Sequence, residues 1–168
     1  MTLALANGGP AIKGDPNFMR RAIDLATENV LSGAGGPFGA VVARDGKIIA
    51  TGVNLVTSTN DPTAHAEVVA IRAACKVLGS FQLRGCSVYT SCEPCPMCLA
   101  ALYWSRCDAI FYGNSAADAS AAGFDDSFLY KEVSSPIDQR KIPMTRLLAG
   151  EAIENFNTWR AQTGKIEY

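Results

Sequence analysis

Apolar positions change their period several times along the chain. Met19, Ile23, Ala26 and Val30 recur at helical spacing behind Asp15-Pro16, and Gly33 supplies a stop. G-G-P-F-G-A-V-V-A-R leads into a strand, Arg44-Asp45-Gly46-Lys47 reads as a hairpin turn, and K-I-I-A-T-G-V-N is the returning strand. Asp61-Pro62 repeats the helix-start signal, so a helix is predicted from about Pro62 to Leu78, closed by Gly79. C-S-V-Y-T-S reads as a short buried strand. Pro96 opens the helix P-M-C-L-A-A-L-Y-W-S-R, and D-A-I-F-Y-G-N is the next strand. A-A-D-A-S-A-A-G is a small helix, I-P-M-T-R-L-L a fifth strand, and E-A-I-E-N-F-N-T-W-R-A-Q a last amphipathic helix.

Helix, hairpin, then alternating helix and strand predicts an α/β fold, a three-layer αβα sandwich with a mixed five-stranded sheet. Residues 1–14 read as a loose N-terminal arm and 15–168 as a single domain. The helices opening at Pro62 and Pro96 follow loops or strand ends, where sites in such sheets tend to lie.

Composition narrows the choice of ligand. The 168 residues carry a net charge of −1, so no global basic field invites a nucleic-acid backbone, and a small neutral ligand fits better. Local basic pairs at Arg20-Arg21 and Arg140-Lys141 read as solvated surface. The six cysteines, at 75, 86, 92, 95, 98 and 107, are clustered rather than spread as a disulfide framework. The start lacks a basic n-region, and no apolar run approaches the roughly 20 residues of a membrane span. The expectation is a soluble, cytoplasmic protein.

The chemistry concentrates in two stretches. T-A-H-A-E holds the chain's one histidine, His65, and T-S-C-E-P-C-P-M-C follows some thirty residues later. His65, Cys95 and Cys98 offer one imidazole and two thiolates, which suits one zinc ion per chain. Three protein ligands leave a fourth position for water, whose pKa falls to roughly 7 on zinc. Both cysteines lie at a helix start, where backbone N–H groups favour thiolates. Glu67 is two residues from His65, a turn of about 200° on an ideal helix, so it reads as a proton carrier beside the metal and not a ligand. The pattern H-x-E…P-C-x-x-C is the signature of zinc nucleobase deaminases. Cys92 is the one candidate for a fourth ligand and reads better as a packed thiol. Cys75, Cys86 and Cys107 read as small buried hydrophobes. No G-x-S-x-G supports a serine hydrolase.

The stretches D-P-T-A-H-A-E-V-V-A-I-R-A-A-C-K and Y-T-S-C-E-P-C-P-M-C-L-A-A-L-Y-W-S-R resemble the cytidine-deaminase-like superfamily. G-F-D-D-S-F-L-Y-K-E and the ending W-R-A-Q-T-G-K-I-E-Y resemble its guanine deaminases. The resemblance implies hydrolysis of guanine to xanthine and ammonia, by zinc-activated water attacking C2 with Glu67 as the proton shuttle. It also implies Asn54 and Asp126 as base-recognition residues and Phe38 as a pocket wall. It further implies a homodimer whose C-terminal segments are swapped, with Tyr168 completing the neighbouring site. The residue chemistry is compatible: an Asn amide donates and accepts, and an Asp carboxylate accepts from ring N–H groups. Structural readings stand beside these. Asn54 ends a strand, Asp126 follows a Gly-Phe turn, and Phe38 and Trp104 suit a core. Guanosine, tRNA adenosine and cytosine deamination are the rival reactions, and a zinc-stabilised binding module is the rival outside enzymes.

Overall fold

The computed structural model describes residues 12–168, so the expected arm lies outside the described residues except for positions 12–14. Two compact units divide the chain, one running to Phe128 and one spanning Leu129–Tyr168. The first contains α1 (Pro16–Leu31), β1 (Gly39–Arg44), β2 (Lys47–Val53), α2 (Val56–Thr59), α3 (Ala66–Leu78), β3 (Cys86–Cys92), α4 (Pro96–Ser105), β4 (Ala109–Asn114) and α5 (Ala116–Ala121). Helix α6 (Ser127–Ser134) leads into the second unit, which holds a 3-10 turn at Ile137–Gln139 and α7 (Ala149–Ala161).

Local chemistry explains most boundaries. The Asp15 carboxylate accepts from Asn17 N at 2.8 Å and caps α1, with Pro16 at its first position. Asp45 and Gly46 both take positive φ, 50° and 72°, which makes the tight turn that matches strand twist. Helix α3 starts four residues later than the sequence suggests. Asp61 accounts for the delay: its carboxylate takes both the backbone N–H and the hydroxyl of Thr63, at 2.8 and 2.7 Å, and holds 61–64 as a turn.

The sheet runs β2-β1-β3-β4, with β1 antiparallel to both neighbours and β3 parallel to β4. It is mixed, as expected, but the described residues form four strands and not five. The stretch 142–148 is not a strand. Pro143 removes a ladder donor there, and an apolar run without a pairing partner is no strand.

Alternation along β1 sorts the two faces. Ala40 and Val42 join Ala66, Ala70, Ala74, Val88 and Leu102 in the core under α3 and α4. Val41 and Ala43 join Ala22, Leu25 and Tyr89 in the core under α1. Helices therefore cover both faces, giving the αβα layering. Each fully buried Val or Leu contributes roughly 1.5–3 kcal/mol. Gly39 and Gly52 let the helices approach. A Cβ at Gly52 would lie 2.2 Å from Ala66 O, and one at Gly39 would lie 2.4 Å from Ala22 O. Glycine at position 52 thus seats the first turn of α3, which begins the site, directly on β2.

Candidate metal centre and purine pocket

Two helix starts meet at one point. His65 is the N-cap of α3 and Cys95 the N-cap of α4, both with extended backbone, and Cys98 lies in the first turn of α4. His65 Nδ1 lies 3.7 Å from Cys95 Sγ and 3.5 Å from Cys98 Sγ. A tetrahedral zinc with bonds of about 2.0–2.3 Å separates its ligand atoms by roughly 3.4–3.8 Å. The spacing and the N/S donor set therefore fit zinc. All three ligand atoms lie within 4.8 Å of one another, and the group can coordinate a metal ion.

Electrostatics at the cluster favour a bound cation. The Cys98 thiol, and then His65, stabilise the Cys95 thiolate against the opposing effect of burial and bring its pKa down to about 4. The same hydrogen bond to Cys95, followed by burial, pushes the Cys98 thiol up. His65 is raised, first by its contact with Cys95. The cluster thus favours a thiolate at Cys95, and a bound metal would favour the deprotonated form of both cysteines.

His65 lies outside the helix, so the ideal-helix angle between His65 and Glu67 does not apply. The extended N-cap aims the imidazole at the cysteines, while Glu67 sits inside the first turn of α3. Glu67 is buried at 5% exposure, and its Oε1 accepts from the Thr90 hydroxyl at 3.1 Å. Burial, above all, raises its pKa.

Cys92 does not join the cluster. It is buried, its Sγ contacts Ser115 O at 3.7 Å, and burial pushes its thiol up to about 11. It is a packed thiol.

Asn54 is buried and directly follows β2. Its Oδ1 accepts a long bond from Val56 N at 3.3 Å, and its carbonyl is held by Asn29 Nδ2 at 2.8 Å. Phe38 packs partly on the core and meets Phe124 edge-on, ring centroids 5.0 Å apart. The Asp126 carboxyl is raised by burial and then by the Cys95 charge. Tyr168 lies in the second unit and is 71% exposed.

Three residues here escape sequence reasoning. Asn29 carries a signal in retrospect, since it is a polar residue on the buried stripe of α1 with Ala22, Leu25 and Ala26. Its amide also donates to Gly36 O at 2.9 Å. Thr90 and Phe124 have no comparable signal, because their contacts cross between elements.

Metal-ligating side chains at two helix starts, beside a buried carboxylate, on a mixed αβα sheet, define a class: the zinc deaminases that act on nucleobases. Comparison with known proteins makes this specific. The profile of the cytidine and deoxycytidylate deaminase zinc-binding region matches residues 12–114. Guanine deaminase from Bacillus subtilis is 57% identical over 151 residues, covering 90% of this chain and 97% of that protein. The X-ray structure of guanine deaminase from Bacillus subtilis superposes with a TM-score of 0.90 at 55% identity, over 93% of this chain and 99% of that one. The tRNA-specific adenosine deaminase of Haemophilus influenzae is 37% identical over 118 residues, 67% of this chain and 68% of that protein. The chain belongs to the cytidine and deoxycytidylate deaminase zinc-binding family, in its guanine deaminase branch.

Proposed function

We propose that the protein hydrolyses guanine to xanthine and ammonia. The observation that carries this is the buried Glu67 beside the His65–Cys95–Cys98 cluster, in a chain 57% identical to a guanine deaminase. Zinc held by those three residues supplies the Lewis acidity that lowers a water pKa to about 7. Glu67 takes a proton from the attacking water as its oxygen bonds to C2, and delivers that proton to the ring. It then takes the remaining proton from the new C2 hydroxyl and passes it to the departing amine, so that the C2–N2 bond breaks as the C2 carbonyl of xanthine forms. Its position suits it to this work, because a carboxylate beside the ligand cluster can take a proton from water and return it. Thr90 keeps the carboxylate aimed.

Asn54 offers the purine a donor and an acceptor, Asp126 accepts from ring N–H groups, and Phe38 packs against the ring face. Tyr168 completes the pocket of a second copy in a homodimer with exchanged C-terminal segments. Support for the dimer comes from the second unit itself. None of its residues is buried, and Ile142, Leu147, Leu148, Phe156 and Ile166 are all at least 64% exposed. A 13-residue helix such as α7 is marginal without packing, so that apolar surface calls for a cover. The six free cysteines suit a reducing, cytoplasmic setting. Among the described residues no helix is long and apolar enough to cross a membrane.

The test is ammonia release by the zinc-loaded protein from guanine, guanosine, cytosine and adenine in parallel. Release from guanine alone is expected. Release from guanosine and not guanine would overturn the pocket assignment while keeping the zinc chemistry.

A further inference from the structure

Glu93 follows β3 and lies two residues before Cys95, and the chemistry above makes no use of it. Its Oε2 accepts from the backbone N–H of Ala116 at 3.0 Å. Ala116 is the first residue of α5, where a helix leaves its N–H groups unpaired. A carboxylate makes that bond charge-assisted and correspondingly strong. Around it the two chain segments are joined again. Glu93 N donates to Asn114 O at 2.8 Å, and Asn114 Nδ2 donates to Ser91 O at 3.2 Å.

The segment after α5 returns to Phe38. Gly123 turns the chain at φ 92°, Phe124 N donates to Ala119 O at 2.9 Å, and the Phe124 ring meets Phe38 edge-on. Asp126 follows two residues later. The metal loop and the segment carrying Phe124 and Asp126 are thus joined through one six-residue helix, whose start is capped from within by Ser115 and Asp118 and held from the metal loop by the Glu93 carboxylate.

We infer that Glu93 is a positioning residue: its carboxylate fixes α5 to the metal loop and so sets where Phe124 and Asp126 stand relative to the metal ligands. The inference rests on the guanine reading for its kinetic readout, but its structural readout does not depend on substrate.

Three variants of the zinc-loaded protein test it. Glu93→Ala removes the acceptor, whereas Glu93→Gln keeps an acceptor oxygen. Ala116→Pro removes the donor at a position where proline suits a helix, and Ser115 before it already has the extended backbone a proline requires (ψ 168°). Glu93→Ala and Ala116→Pro are expected to raise KM for guanine at least about 10-fold, with kcat changed less than about threefold. The double variant is expected to be no worse than either single one. Glu93→Gln is expected to stay within about threefold of wild type on both constants. Amide hydrogen exchange across 116–126 is expected to quicken in Glu93→Ala and Ala116→Pro, while exchange in α3 and the zinc content stay unchanged. Unchanged exchange across 116–126 in both variants overturns the inference, as does an additive double variant. Loss of zinc in step with activity overturns it too. Failure of the wild type itself to deaminate guanine would count against the guanine reading, and the exchange result would still decide the role of Glu93.

Discussion

Glu67 is a carboxylate held where its charge is disfavoured. Burial raises its pKa above the ordinary 4.5, so in the metal-free protein the folded state holds this proton more tightly than the unfolded one. Stability from this group is therefore fully present below about pH 4.5 and is lost as pH rises through the higher folded pKa. Glu67→Gln keeps an oxygen for the Thr90 hydroxyl and removes the titration. In metal-free protein its melting temperature is expected to exceed that of wild type at pH 8, and the gap is expected to shrink towards pH 4. A gap that stays constant or grows on acidification would contradict the burial account. Residue identity was the most legible part of the site. His65, Glu67, Cys95 and Cys98 stood out by spacing alone, because ligand chemistry restricts residue type. The proposed base-recognition residues Asn54 and Asp126 did not, since Asn and Asp are ordinary turn residues, and the Asn54 side chain accepts from Val56 N as a turn residue does. Thr90 and Glu93 act through partners 23 residues away, a relation that no local pattern records.

Elements were legible where capping chemistry was strong. Proline at Pro16 and Pro96 marked the starts of α1 and α4, and the Asp45-Gly46 turn fixed the hairpin. The start of α3 was misread because Asp61-Pro62 resembles a cap, yet Asp61 spends its carboxylate on Thr63. Helix α2 is only four residues long, too short for a periodic signal. The closeness of α3 to β2 depends on Gly52. In Gly52→Ala the new Cβ would meet Ala66 O at 2.2 Å and Ala70 N at 2.5 Å, both backbone atoms that cannot swing aside. The expected cost is about 3 kcal/mol, at the upper end for overpacking, read as a lowered denaturation midpoint. Zinc affinity is expected to fall with it, since His65 is the N-cap of the displaced helix and Glu67 lies in its first turn. Gly150→Ala, in α7 with nothing within 4 Å of the new Cβ, is the control. It is expected to be neutral or to stabilise by up to ~1 kcal/mol. Similar midpoints for the two variants would contradict the close-approach argument.

At the scale of the whole molecule, the αβα layering was readable from alternating elements, whereas the fifth strand was not. A strand exists only with its ladder partner, and the sequence 142–148 cannot say whether one is present. The exposed apolar side chains of the second unit give the same lesson for assembly. Mixing tests the exchanged dimer. Glu67→Gln and Tyr168→Ala proteins, each impaired alone, are unfolded together and refolded. If Tyr168 serves the neighbouring site, the mixed dimer contains one site with both Glu67 and a neighbour's Tyr168, and activity is expected to recover to about a quarter of wild type. That fraction follows from half the dimers being mixed, each with one intact site of two. No recovery beyond the sum of the separate activities would show that Tyr168 acts in its own chain or not at all. The central claim is that a metal cluster and one buried carboxylate together hydrolyse guanine. The most direct measurement is xanthine formation from guanine by zinc-loaded wild type and zinc-loaded Glu67→Gln, with bound zinc quantified in both. Wild type is expected to form xanthine and ammonia in equal amounts, and the variant is expected to retain its zinc and fold but turn over roughly 10²–10⁴-fold more slowly. No xanthine from zinc-loaded wild type, or an undiminished rate in the variant, would contradict the account.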